Sequence, residues 1–306
     1  MTPCDYRNLI IGNSVNIGYI SAILAAVLFG SISTIAKPAL LNVNALLLSS
    51  AVYLLAGLTA TPLKKKARIS EIKRKEWLLI LAMSISGAVI APLLYFTGLT
   101  QSKASDTSVL SNAEIVFTVL LAILLFREKL KPIGYLAIAL VLVGVIIITT
   151  NLEFSTFIFD IKSEGNLLIL TAMAFWGLDN NVSKIASQRI DAARLVQLKS
   201  AIGGSCLLVI VLLVRVPINI TVSEVPNIIL LGVAGFGGSL YFFMNSLKRI
   251  GTVRTILIYS TSAIFGLFFA SLFLHESIGV YQIIAIIMML SGIFLIERND
   301  KYIDSK

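Results

Sequence analysis

Residues 105–150 read SDTSVLSNAEIVFTVLLAILLFREKLKPIGYLAIALVLVGVIIITT. Two aliphatic runs, each long enough to cross a hydrocarbon core of about 30 Å at about 1.5 Å rise per residue, flank a turn holding Arg127, Glu128, Lys129 and Lys131. A chain that enters an apolar medium, reverses through a short basic turn and enters it again is a membrane hairpin. The runs lack the alternation of membrane β-strands and are too long for them, so each should satisfy its backbone groups internally as a helix.

Outward from this hairpin the same pattern recurs in both directions. Ten apolar stretches cover approximately 17–41, 44–62, 77–100, 105–126, 132–150, 165–187, 193–214, 226–248, 253–274 and 279–296. Of 306 residues, 57% are hydrophobic and 13% charged, against the roughly 25% charge of a soluble domain. The expected fold class is all-α integral membrane, with ten transmembrane helices. The first stretch ends in Lys37-Pro38 without a small-residue cleavage site and reads as a retained helix. Cys4 and Cys206 imply no disulfide framework.

The net charge of +9 could suggest a nucleic-acid partner, but its placement is an orientation signal. With a cytoplasmic N-terminus, nineteen Lys and Arg residues fall in inner connections, densest at Lys64, Lys65, Lys66, Arg68, Lys73, Arg74 and Lys75. Only Lys103, Lys162 and Arg215 fall outside. Both termini are therefore expected in the cytoplasm of a multi-pass cell-membrane protein, with the bilayer as partner and no nucleic acid.

Shifting the chain by 147 residues lays Gly18, Ala25, Gly30, Lys37 and Ala39 over Gly165, Ala172, Gly177, Lys184 and Ala186, with Phe29 over Trp176. A shift of 148 lays Gly87, Phe117, Ala122, Glu128, Ala137 and Gly144 over Gly235, Phe265, Ala270, Glu276, Ala285 and Gly292. The organisation expected is a cytoplasmic N-terminus (1–16), a first five-helix repeat (17–150), an extracytoplasmic linker (151–164), a second five-helix repeat (165–296) and a cytoplasmic tail (297–306). Five spans per half turn the second half upside down, giving two inverted five-helix repeats. Such repeats commonly hold a solute near the midplane and rock around it.

These signatures resemble the EamA family of the drug/metabolite transporter superfamily. Phe29-Gly30 with Lys37, and Trp176-Gly177 with Lys184, match its half-opening pattern. The runs EIVFTVLLAILLFREKLKPIGYLAIALVLVGV from Glu114 and SLFLHESIGVYQIIAIIMMLSGIFLI from Ser271 match its aliphatic run, Glu-containing turn and Gly-bearing helix. One departure is Ile115, where the family often has Pro after the Glu; the ninth span has no Pro either, so no proline-dependent kink is expected there. The resemblance implies export or exchange of small organic solutes, amino acids or related metabolites, from a cavity lined mainly by spans one, three, four, six, eight and nine.

Thr107, Ser111, Glu114 and Thr118 lie on one helical stripe, and Tyr259 and Ser262 occupy the matching stripe of the ninth span. They could line a cavity or, for the hydroxyls, serve interhelical bonding. Glu114 lies about 13 Å from the outer end of its span by helical rise. A lone ionised acid there costs roughly 2.5–3.5 kcal/mol, so it should meet water, a cation or a proton. It could bind a substrate ammonium, take up a proton during the cycle, or be a packing acid held neutral. Trp176 and Asn180 share a face with Asp179, and Trp176 could cover an organic solute or simply pack. Asp179 and Lys199 lie at comparable depths and could pair as an inner gate or clamp, with snorkelling of Lys199 the simpler option. Tyr95 and Asn245 could face the cavity or anchor at the interface. Glu128 and Glu276 read as terminal-turn caps or interfacial ion pairs.

A single histidine, His275, leaves no multi-histidine metal site, and no cofactor is expected. No GxxxxGK[ST] loop occurs, so a coupling ion or substrate gradient would supply the energy. The reading is a secondary transporter of a small-molecule substrate. A passive channel or receptor is the alternative, with an intramembrane enzyme further behind.

Overall fold

A computed structural model describes residues 3–61, 72–126, 132–151, 164–187 and 189–300. Glu128, most of the 151–164 linker and the end of the tail lie outside the described residues. The first half comprises α1 (Pro3–Gly30), α2 (Ile32–Ala39), α3 (Ala45–Ala60), α4 (Arg74–Ile85), α5 (Ala91–Gln101), α6 (Ala104–Leu110), α7 (Ala113–Phe126) and α8 (Pro132–Thr150). The second comprises α9 (Glu164–Ser187), α10 (Ala192–Val214), α11 (Val225–Ile229), α12 (Ser239–Tyr259), α13 (Ser262–Leu274) and α14 (Val280–Asp300). No strand occurs among the described residues.

Five helical stretches are long and apolar enough to cross a membrane: Asn16–Ala39, Arg74–Gln101, Ala104–Leu125, Ala193–Val214 and Val225–Ser246. Four more, Ala45–Ala60, Pro132–Ile148, Ile258–Leu274 and Val280–Leu295, are apolar but shorter. The sixth predicted span coincides with α9, whose 24 residues include Asn166, Asp179, Asn180, Asn181 and Lys184. Those polar groups explain why its hydropathy falls behind the rest. Leu58, Leu124, Leu213 and Phe273 are exposed on the outside of the bundle, a surface suited to lipid.

Periodicity alone did not anticipate how the spans are interrupted. π-helical turns interrupt the third and eighth spans at Ser86–Ile90 and Leu230–Gly238. The fourth span breaks at Ser111–Asn112 and the ninth at Ser260–Thr261, without proline. There the Ser111 hydroxyl donates to Thr107 O at 2.9 Å and that of Thr261 to Ile258 O at 2.5 Å, local bonds of the kind that bend helices. Helical turns run through all of α12, yet Ser246 and Thr255 share a 2.8 Å hydroxyl hydrogen bond. Nine residues would span about 13.5 Å in a straight helix, so α12 folds back on itself between the eighth and ninth stretches.

The packing repeats when the halves are exchanged. Helix α1 packs on α12 and α13, as α9 packs on α5 and α7; α3 packs on α10, and α8 on α14. Glycines make these approaches possible. A β-carbon at Gly30 would lie 3.0 Å from Phe265 Cβ, and one at Gly177 lies 3.0 Å from Phe117 Cβ. One at Gly144 would lie 3.0 Å from Ala285 O, and one at Gly292 lies 2.6 Å from Ala137 O. Gly57 faces Ala201, and Gly204 faces Leu54. Each pair maps onto its mate by the sequence shifts of 147 and 148.

Candidate functional site

The π turn in the third span creates the first polar node. Ala91 N–H bonds back to Ser86 O, and the next residue, Pro92, has no N–H to offer Gly87 O. Two side chains fill that vacancy: Tyr53 OH donates to Gly87 O at 2.7 Å and Trp176 Nε1 donates to it at 3.0 Å. The Trp176 ring lies 5.2 Å from Tyr95 and 6.3 Å from Phe236, and Phe236 lies 5.4 Å from Tyr53. Trp176 is 7% exposed, so this aromatic group is a buried floor joining α3, α5, α9 and the π turn.

A β-carbon at Gly87 would lie 2.7 Å from Asp179 Cβ, which brings the second node against the first. Lys199 Nζ of α10 makes a close ion pair with Asp179 Oδ2, and the Ser183 hydroxyl donates to Asp179 Oδ1 at 3.2 Å. The pair expected from span depth is formed. Burial makes each charge dependent on the other.

Glu114 is the third node. Asn180 Nδ2 donates to Glu114 Oε1 at 2.7 Å and to Thr118 Oγ1 at 3.2 Å. Neighbouring Asn181 fastens α9 to α7 by donating to Thr118 O at 2.9 Å. Tyr53, Tyr259, Asp179 and Lys199 all lie within electrostatic range of Glu114. Tyr259 stacks between Phe29 at 5.1 Å and Phe243 at 4.7 Å, so α1 and both arms of α12 supply a wall. Asn180 is exposed, and Glu114, Thr118 and Tyr259 are partly so.

The two ends of the bundle differ. At one end Lys37 Nζ donates to Leu99 O at 2.6 Å, Thr100 O at 3.2 Å and Ser102 O at 2.5 Å, a cation at the C-terminus of α5. Glu276 caps the N-terminus of α6, accepting from Ala104 N and Ser105 N at 2.9 Å each and from Ser105 Oγ at 2.6 Å. Gln282 Nε2 donates to Asp106 Oδ1 at 2.6 Å, and Ser102 Oγ donates to Asn166 Oδ1 at 2.8 Å. This Lys37 end is thus tied across both halves. At the opposite end α6 gives way to α7, which among the described residues packs chiefly on α9 and more lightly on α8 and α14. Glu114, Thr118 and Asn180 keep part of their surface open on the side toward the end carrying Arg189, and this open strip is the candidate cleft.

Of the residues expected from sequence, Glu114, Thr118, Asn180 and Tyr259 gather at this cleft, with Asp179 and Lys199 behind them. Trp176 and Tyr95 belong to the buried floor. Thr107 and Ser111 are buried, their hydroxyls donating to Lys103 O and Thr107 O, and Ser111 also meets the Tyr95 hydroxyl of the floor. Ser262 is buried where α13 crosses Gly30. Asn245 is elsewhere, donating to Ser21 Oγ at 2.8 Å and accepting from Arg249 Nε at 3.1 Å. The sequence reading did not single out Tyr53, and it took Gly87 only as a repeat position; the usable signal for its carbonyl was Pro92 five residues on. Among the described residues no group of three metal-ligating side chains forms.

Comparison with known proteins follows the same two halves. Residues 16–150 and 163–298 each match the profile of the EamA-like transporter family. An "Uncharacterized transporter" of Methanothermobacter thermautotrophicus is 32% identical over 298 residues, covering 93% of this chain and 87% of that protein. Another "Uncharacterized transporter", from Clostridium kluyveri, is 25% identical over 225 residues, covering 72% of this chain and 71% of that protein. A solved structure described as "Crystal structure of protein" superposes with a TM-score of 0.66 at 17% identity, over 93% of this chain and 96% of that one, a likeness of fold.

Proposed function

Because the chain belongs to the EamA-like transporter family, we propose that it is a ten-span secondary transporter that exports or exchanges small organic solutes, amino acids or related metabolites, by alternating access. The two halves act as inverted repeats in the cell membrane with both termini in the cytoplasm. What supports this reading is the partly exposed Glu114–Asn180 contact between repeats, set against a Lys37 end whose hydrogen bonds tie both halves together. Sidedness by the positive-inside rule makes the Arg189 end cytoplasmic. The arrangement is then the cytoplasm-facing half of a cycle, and the contacts of Lys37 and Glu276 are the outer seal. Reciprocal glycine contacts support rocking of one half on the other.

Counterflow in proteoliposomes tests the proposal. A labelled amino acid or metabolite should enter saturably and faster when unlabelled solute is trapped inside. Flux that neither saturates nor responds to trapped solute would replace the carrier by a channel, against which the sealed Lys37 end already weighs.

A further inference from the structure

Resting on that transporter reading and deepening it, we propose that Lys184 is the inner counterpart of Lys37. It grips the backbone of α12 at Leu247 and Ile250 when the Arg189 end closes, so that the two lysines engage in turn. The engaged arrangement stands at the Lys37 end. There α5 stops at Gln101, Ser102 (φ −117°, ψ 161°) and Lys103 (φ −69°, ψ 147°) take extended backbone, and α6 begins at Ala104. The break leaves the last carbonyls of α5 without helical donors. Lys37, in the last turn of α2, supplies them, its Nζ donating to Leu99 O, Thr100 O and Ser102 O. An ammonium suits that place on two counts: it has three donors, and the helix end is electronegative.

The other end holds the same parts in a second arrangement. A shift of 147 carries Lys37 to Lys184, in the last turn of α9. A shift of 148 carries Leu99, Ser102, Lys103 and Thr107 to Leu247, Ile250, Gly251 and Thr255, and the recurrence of leucine and threonine fixes the register. Yet the backbone is helical throughout Ser239–Tyr259, with the reversal made inside it and closed by the Ser246–Thr255 hydroxyl bond. Lys184 is exposed. Helix α2 packs on α5 and α6, whereas the principal neighbours of α9 among the described residues are α5, α7, α4 and the π turn of the third span. One half is thus broken and clasped by its lysine, and its mate is helical through the same junction.

Closing the Arg189 end would bury the reversal in α12, where carbonyls released by a break at Ile250–Gly251 need donors. Lys184 carries three, at the position the repeat assigns to them. In the first half the same exchange runs backwards, Lys37 withdrawing as α5 and α6 join. Helical hydrogen bonds lost at one junction are regained at the other, so neither arrangement is favoured by the backbone alone.

Maleimide labelling of Ser111→Cys from outside right-side-out vesicles, with Cys4 and Cys206 changed to Ser, reads the outward-open population of the full chain. Lys37→Gln should speed labelling about ten-fold and Lys184→Gln should slow it about ten-fold, with Lys184→Arg near the parent rate. The double variant should label at the product of the two factors. Effects of equal sign in the two single variants, or a Lys184→Gln rate equal to the parent's, would overturn the inference. Gly251→Pro approaches from the other partner. Proline removes the N–H that a helix directs at Leu247 O, and it fits the φ found at Lys103. It should speed labelling, and the gain should shrink at least about three-fold in the Lys184→Gln background. A gain independent of Lys184 would overturn the grip even where Lys184→Gln alone lowers the melting midpoint. Counterflow keeps the two readings apart. Saturable exchange with labelling effects of equal sign removes the grip and keeps the transporter; effects of opposite sign without exchange of any labelled solute keep the grip and remove the transporter.

Discussion

Glu276 should act as the latch of the outer seal, and Glu276→Ala measures its strength. Its carboxylate accepts two backbone N–H bonds at 2.9 Å and one hydroxyl bond at 2.6 Å from the first turn of α6. Bonds to a charged group contribute about 1.5–3 kcal/mol each, and the helix N-terminus adds about 0.3–1 kcal/mol. The carboxylate is only half-buried, and water can serve those N–H groups once the seal parts, so the net loss to the closed arrangement is about 2–3 kcal/mol. At about 1.4 kcal/mol per factor of ten, the closed-to-open ratio falls roughly 30- to 140-fold. Glu276→Gln, which keeps an acceptor oxygen and loses the charge, should fall between the two. The readout is a single cysteine at Ser111→Cys, 6% exposed beneath the seal, in a background with Cys4 and Cys206 changed to Ser. Membrane-impermeant maleimide applied to right-side-out vesicles should label it faster by the same factor. An unchanged labelling rate, with the melting midpoint also unchanged, would refute the latch and with it the assignment of the closed end.

Other expectations follow from the same contacts. Removing one member of the Asp179–Lys199 pair leaves a buried charge and should cost about 3–5 kcal/mol in a detergent melt, whereas the swap Asp179→Lys with Lys199→Asp should recover much of it. Failure of the swap to recover anything would argue against a pairwise role. Tyr53→Phe and Trp176→Phe should each cost about 1 kcal/mol, but together they strip Gly87 O of both donors and should cost more than their sum. Adding Pro92→Ala, which returns a backbone N–H, should relieve part of that excess; strict additivity would contradict the node. Gly292→Ala forces a β-carbon to 2.6 Å from Ala137 O and should destabilise the α8–α14 contact by about 1–3 kcal/mol, read as a lowered melting midpoint.

Much of the architecture was legible because the membrane imposes a one-dimensional code. Apolar length marks the helices, and identities offset by 147 and 148 residues reappear as reciprocal approaches of Gly30 to Phe265 and Gly177 to Phe117. Comparable depth suggested the Asp179–Lys199 pair beside a snorkelling alternative, and Glu276 could be read as a cap or an ion-pair partner but not as the cap of distant α6. Less visible were the interruptions. A break at Ser111–Asn112 needs no proline, because hydroxyls bonding to carbonyls four residues back occur in straight and bent helices alike. The reversal inside α12 leaves no extended loop to detect.

Composition and spacing determined that the chain is helical, suited to lipid and built twice over, since those properties follow from hydropathy and from residues compared with themselves. Only the tertiary structure decided which polar groups meet. Tyr53 and Trp176 converge on Gly87 O from positions 34 and 89 residues away, and Asn180 reaches Glu114 across 66 residues. Helical periodicity places a side chain on a face of its own helix. What that face meets depends on how the helices cross, and here the crossings left Glu114 in the cleft while burying Thr107 and Ser111 from the same stripe.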